Sequence, residues 1–201
     1  MFGSAGEREL QVAFDSANRA AAFYDNQMLS FLSPIMIDFI RRQTMVFVAT
    51  ADGNGHCDAS FRGGEPGFVA VLDENTLAYP EYRGNGVYAS LGNVSENPHM
   101  GLLFIDFFQH GIGLHVNGRA SIESEIADLS DPRAERWVRL SVDEAYIHCS
   151  KHIPLVSLRD KEIRWGTDDA VAKGGDFFRA KEVNAALRAQ HRADLDTTTT
   201  D

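Results

Sequence analysis

Leu77-Ala78-Tyr79-Pro80-Glu81-Tyr82-Arg83-Gly84-Asn85-Gly86 runs from an apolar strand through a glycine-flanked turn, and the residues after it take up helical spacing. Val87, Leu91 and Val94 fall at i, i+4 and i+7 ahead of an Asn97-Pro98 stop, so a short helix is expected between two strands. Such a junction points backbone N–H groups and the positive end of a helix dipole at one spot, which suits a phosphate monoester. Arg83 adds a bidentate donor there. Taken alone, the same stretch also reads as a solvated strand-to-helix turn, since Gly-Asn turns are common.

The flanking sequence is strand-rich. Met45-Val46-Phe47-Val48-Ala49-Thr50-Ala51 is β-branched and apolar, and Asp52-Gly53-Asn54-Gly55 closes it with a turn. Further strands are expected over Cys57–Phe61, Phe68–Leu72, Thr76–Tyr79, Met100–Phe104, Leu114–Ile122 and Glu144–His148. Short runs punctuated by Gly, Asp and Asn favour a closed antiparallel sheet over a βαβ array. Upstream, Leu10, Phe14, Ala17 and Ala21 predict one long amphipathic helix over Glu7–Leu32. Ser33-Pro34 then starts a second helix, whose apolar face is Met36, Ile37, Phe39 and Ile40. Ser130-Asp131-Pro132 reads as a helix start leading through Trp137 and Val138, and a last helix is expected over Phe177–Ala193. The tail Asp194–Asp201 is expected to be disordered.

At 201 residues the chain is predicted to be a single domain, with helices over 1–44, a barrel over 45–168 and a helix plus tail over 169–201. No apolar run approaches the roughly 20 residues that span a bilayer, so no membrane association is expected. The first residues lack a basic, apolar leader pattern, and a cytoplasmic location is expected. The two cysteines, Cys57 and Cys149, form no Cys-x-x-Cys pair and support neither a disulfide framework nor a four-thiolate zinc site. A formal charge of −10 opposes nucleic-acid phosphates, so nucleic acid is not an expected partner. An anionic ligand would need a local cluster of N–H groups and arginines.

A second informative stretch is Asp58-Ala59-Ser60-Phe61-Arg62-Gly63-Gly64. Strand alternation puts Asp58, Ser60 and Arg62 on one face, where a hydroxyl and a guanidinium meet a polar ligand; the plain alternative is the exposed face of an edge strand.

In order and spacing, the features from Met45 to Trp165 resemble the pyridoxamine phosphate oxidase-like, FMN-binding split β-barrel family. The strand ending in Arg62, the block Leu77 through Asn97-Pro98, the strand Met100–Phe104, the strand piece Val116-Asn117-Gly118-Arg119-Ala120 and the late segment Tyr146–Ile153 carry the likeness. The resemblance implies a mainly β (α+β) split antiparallel barrel with flanking helices. It also implies a homodimer with cofactor sites at its interface, and an FMN-dependent oxidoreductase acting on a small molecule. It places Arg62, Arg83, Gly84 and Asn85 near the phosphate and ribityl chain, Asp58, Ala59, Ser60, Tyr79 and Pro80 along the ring, and Ser90 near the phosphate. The oxidase itself carries a basic Ser-Arg-Lys-type turn, where this chain has Arg83-Gly84-Asn85 with fewer positive charges. That departure argues against pyridoxamine phosphate as the substrate.

Trp165 is expected either to stack on the flavin or to anchor an interface. Lys151 and His152 are candidates for greeting an anionic or carbonyl substrate. No metal is expected, because His148, Cys149 and His152 lack the second paired motif of a zinc site. A deazaflavin-dependent reductase on the same barrel and a non-catalytic flavin- or haem-binding protein remain the alternatives.

Overall fold

The computed structural model describes residues 2–167 and 175–198. The elements are α1 (Ala5–Ala13), α2 (Ala17–Gln27), β1 (Met28–Leu29), α3 (Pro34–Arg42), β2 (Met45–Ala51), β3 (Cys57–Gly63), β4 (Ala70–Asp73) and β5 (Thr76–Tyr82). They continue with α4 (Ala89–Glu96), β6 (His99–Asp106), β7 (Ile112–Glu123), β8 (Ala134–His148), a 3-10 turn (Ser150–His152) and α5 (Ala180–Thr198). The chain divides into two compact units, Met1–Thr167 and Asp168–Asp201.

Alternation builds the first unit. In β2, Val46, Val48 and Thr50 point inward, and in β6 Met100, Leu102 and Phe104 do the same. Leu114 and Val116 from β7 and Val138 and Leu140 from β8 complete the barrel interior, with Leu77 and Tyr79 from β5. All pairings are antiparallel, in the order β3-β2-β6-β7-β8-β5-β4, with β1 paired to β8. Among the described residues no ladder joins β3 to β4, so the barrel is split there. This is the α+β split antiparallel barrel.

Two helical expectations need correction. The stretch Glu7–Leu32 is not one helix. It breaks at Phe14-Asp15-Ser16, where Asp15 adopts φ 49°, and Tyr24 on α2 donates to Glu7 on α1 at 2.8 Å. Aspartate and serine favour local backbone bonds over helix continuation, which explains the break. The expected stripe is also exposed, since neither helix buries a residue.

The predicted helix from Ser130 through Trp137 and Val138 is instead the start of β8. Val138, Leu140 and Val142 alternate with Arg139 and Ser141, and pairing with β5 on one side and β7 on the other overrides the proline-led helix signal. The strand expected over Glu144–His148 is the end of this same β8, and the 3-10 turn follows it.

α3 forms as expected, with Ser33 accepting from Met36 N–H and Pro34 in the first turn. In the second unit, α5 starts at Ala180, where Asp176 accepts from Ala180 and Lys181 N–H at 2.8 and 2.7 Å. It continues over Asp194–Thr198, where disorder was expected, because the run offers no proline or glycine to stop it. Residues 199–201 lie outside the described residues.

The register of the long β7–β8 ladder shifts between Asn117 and Gly118. There the strands approach so closely that a Cβ on Gly118 would lie 1.9 Å from the Ser141 carbonyl oxygen. Gly118→Ala is expected to lower stability by ~2 kcal/mol or more through this backbone clash, read as a lower urea midpoint at unchanged m-value.

Candidate functional site

β3 ends one side of the sheet, and its alternation holds Asp58, Ser60 and Arg62 half-buried on one face while Cys57, Ala59 and Phe61 face out. On the other side β5 carries Glu81 and Tyr82 out of the core, and the chain then turns through Gly86 (φ 80°) and Tyr88 (φ 54°) into α4. A left-handed tyrosine costs about 1–2 kcal/mol of backbone strain, and strain of this kind gathers at ligand sites. Between the two sides lies a cavity of ≈ 310 Å³, walled by Asp58, Ser60 and Arg62 opposite Glu81, Tyr82 and residues 84–91.

The polar side chains form one network. Arg62 Nε donates to Glu81 Oε2 at 2.9 Å, and the two side chains are only 20% and 14% exposed. Ser90, buried at the start of α4, donates its hydroxyl to Asp58 Oδ2 at 3.1 Å. With that proton committed, Ser90 accepts from Ser60 Oγ at 2.9 Å and from Arg62 Nη2 at 3.5 Å. Ser60 keeps its lone pairs for a donor in the cavity. Tyr88, the N-cap of α4, gives no side-chain cap, so the first-turn N–H groups at Ala89 and Ser90 remain donors at the cavity wall.

Tyr82 is held from behind. Its hydroxyl donates to Asp131 Oδ2 at 2.9 Å, while Arg133 grips both Asp131 oxygens and lies 5.4 Å from the centre of the Tyr82 ring. Burial first, and the Asp131 hydrogen bond next, push the Tyr82 phenol up to about 12. The bidentate Arg133 holds the Asp131 carboxyl far below the usual carboxylate range. Gly166 (φ 62°) closes over this group, where a Cβ would come within 2.7 Å of Arg133 Cβ and 3.0 Å of the Tyr82 ring.

Of the residues read from sequence, the cavity brings together Asp58, Ser60, Arg62, Gly84, Asn85 and Ser90. Asn85 uses its side-chain oxygen on Val87 N–H at 3.0 Å, shaping the loop. Arg83 is exposed and precedes the lining run. Tyr79 is sealed in the core with its hydroxyl on Met100 Sδ at 3.8 Å, and Pro80 is buried opposite Trp137. Only their backbone faces the seam, because β4 accompanies β5 no further than Ala78. Ala59 lies on the outer face of β3.

Trp165 does not line the cavity; its indole rests on Gly63, the residue after Arg62, where a Cβ would lie 2.6 Å from Cζ3. Lys151 and His152 sit exposed on the 3-10 turn past the far end of β8 and line no part of the cavity. His148 pairs with His115 at 2.8 Å, and among the described residues no three metal-ligating side chains converge.

Glu81, Tyr82, Tyr88 and Leu91 are lining residues that sequence reasoning passed over. Glu81 shares the face of Leu77 and Tyr79, so the alternation already marks it as a carboxylate at the edge of the core.

The family model for pyridoxamine 5'-phosphate oxidase matches residues 33–157. The chain belongs to this family. No curated protein matches it. Among solved structures, HupZ of Group A Streptococcus is 20% identical, with 58% of this chain and 93% of that chain covered at a TM-score of 0.46. The conserved hypothetical protein Rv2991 of Mycobacterium tuberculosis is 14% identical, with 67% and 98% covered at 0.43. HutZ, the haem storage protein of Vibrio cholerae, is 12% identical, with 58% and 94% covered at 0.39. The pyridoxamine 5'-phosphate oxidase match spans β2 to β8 and therefore every residue lining the cavity.

Asp131→Asn tests the support of Tyr82. With its charged acceptor gone, the phenol should ionise at a lower pH than in the native protein, yet above 10 because burial persists. Alkaline ultraviolet titration checks this, with Tyr82→Phe assigning the transition. Because the Asp131 pKa is depressed on folding, its stabilisation is complete above its unfolded value of roughly 3.9 and is lost as pH falls toward the folded one. The difference in Tm between native protein and variant should therefore narrow below about pH 4.

Proposed function

We propose that this chain holds FMN in the cavity between β3 and the β5–α4 connection and works as a flavin-dependent oxidoreductase on a small molecule. The observation that carries the reading is the convergence of Arg62, Ser60, Ser90 and the uncapped start of α4 on one cavity, in a member of the pyridoxamine 5'-phosphate oxidase family. That donor set fits a phosphate monoester joined to a polyhydroxyl chain. When bound, FMN supplies hydride and electron transfer.

The chain's own residues bind and orient. Arg62 and the first-turn N–H groups of α4 hold the phosphate. Ser60 offers its lone pairs to a ribityl hydroxyl, while Ser90, fixed by Asp58, keeps Ser60 and Arg62 in register. Val87, Tyr88 and Leu91 give the cavity an apolar flank that limits water. Because the cavity is open, a second copy of the chain would complete its walls. The exposed Phe47 and Phe61, packed edge to face at 5.8 Å on the outer face of β2 and β3, favour such a homodimer. No helix of the described residues is long and apolar enough to cross a membrane.

The test is the visible spectrum of the purified protein together with the mass of any released cofactor. Flavin bands with FMN released support the reading. A protein that neither carries nor takes up FMN overturns it, and a Soret band or a deazaflavin mass replaces it. Ser90→Ala removes the acceptor that holds Ser60 and Arg62 Nη2 in register and should weaken FMN binding by roughly tenfold, measured by flavin fluorescence quenching.

A further inference from the structure

The cavity sets two carboxylates, Asp58 and Glu81, against one lining guanidinium, Arg62. An arginine grips phosphate best with two parallel N–H groups. Here Nε is committed to Glu81 at 2.9 Å, while Nη1 donates to the Phe61 carbonyl at 3.1 Å and Nη2 to Ser90 at 3.5 Å, which leaves one further N–H on each Nη but takes the Nε edge. Glu81 does not sit on a mobile loop. Its backbone is in the β5–β8 ladder opposite Arg136, between Pro80 and the Tyr82 anchored by Asp131. Its carboxylate is mostly buried, so its charge is weakly screened and its hold on Arg62 is strong.

We infer that Glu81 is a specificity-determining residue that competes with a ligand's phosphate for Arg62, so that the preference of the site for a phosphorylated flavin over its neutral, dephosphorylated form is suppressed. The inference rests on the flavin reading above and goes beyond it by assigning the charge that tunes that site. A phosphate entering the cavity must either displace Glu81 from Arg62 or share the guanidinium with it, and both weaken the grip. The bound flavin is thereby kept exchangeable rather than locked.

The experiment compares FMN with riboflavin, which share a ring and ribityl chain and differ by the phosphate. Both affinities are measured by fluorescence quenching in the native protein, in Glu81→Gln, and in Glu81→Gln combined with Arg62→Gln. Glutamine keeps the size of the side chain and an acceptor for Arg62; Glu81→Met serves if the glutamine variant does not fold. Removing the charge should tighten FMN by roughly tenfold or more, leave riboflavin within about twofold, and lose most of the FMN gain when Arg62 is also replaced. FMN affinity that is unchanged or lower, or an equal gain for riboflavin, overturns the inference.

If the native protein and Glu81→Gln bind neither flavin, the flavin reading fails. The competition for Arg62 is then read with inorganic phosphate by phosphorus NMR. Tighter phosphate binding in Glu81→Gln than in the native protein upholds it, and equal or absent binding in both refutes it.

Discussion

Arg62 and Glu81 stand on strands that the hydrogen-bonding path keeps apart: β3 begins that path and β5 lies next to its other end. No backbone ladder joins the two sides among the described residues, so side chains bridge the split. The 2.9 Å ion pair is one such bridge, and the Asp58–Ser90–Ser60 chain lies beside it. A pair this far withdrawn from water is strongly destabilising to break one-sidedly, because the remaining charge stays where it is poorly solvated. The polar groups that close the seam are therefore also the groups that face a ligand. Site geometry and closure of the barrel depend on the same contacts.

α4 makes this arrangement possible. Leu91 and Val94 bury into the barrel mouth, and the helix packs against β2, β3 and β7, which fixes Ser90 within reach of β3. Its start is set by the Gly86 and Tyr88 turn, whose left-handed backbone directs the first N–H groups toward the cavity rather than toward a side-chain cap. Behind β5, Asp131 and Arg133 hold Tyr82, and Gly166 with Trp165 covers both edges of the mouth at Tyr82 and Gly63. Residues more than 80 positions downstream of Tyr82 thus return to support the strand that carries Glu81.

Much of the fold was legible because burial on one face enforces alternation. β2 occurs over Met45–Ala51 as read, and the Asp58, Ser60, Arg62 face follows from period two alone. β8 was misread because a proline-led start at Ser130-Asp131-Pro132 is a local signal, whereas a central strand is decided by its two neighbours, β5 and β7. The break in the N-terminal helix was missed for a related reason: Leu10 and Phe14 keep helical spacing although they bury nothing. In the site, Asn85 and Ser90 were named through the resemblance to the family rather than through the residues alone. Alternation places Glu81 at the edge of the core, but its partner is an arginine 19 residues upstream that only the barrel brings opposite.

Net charge sharpens the functional argument. A chain of formal charge −10 draws an anionic cofactor by local donors or not at all. The cavity supplies those donors in a graded way: uncapped N–H groups at α4, hydroxyls at Ser60 and Ser90, and one arginine already engaged by a carboxylate. A nearby carboxylate neutralises the pull of a cationic donor on an anion, while neutral, directional donors keep theirs. The ribityl chain suits them as well as the phosphate does. A site built this way favours ligands through shape and hydrogen bonding more than through charge.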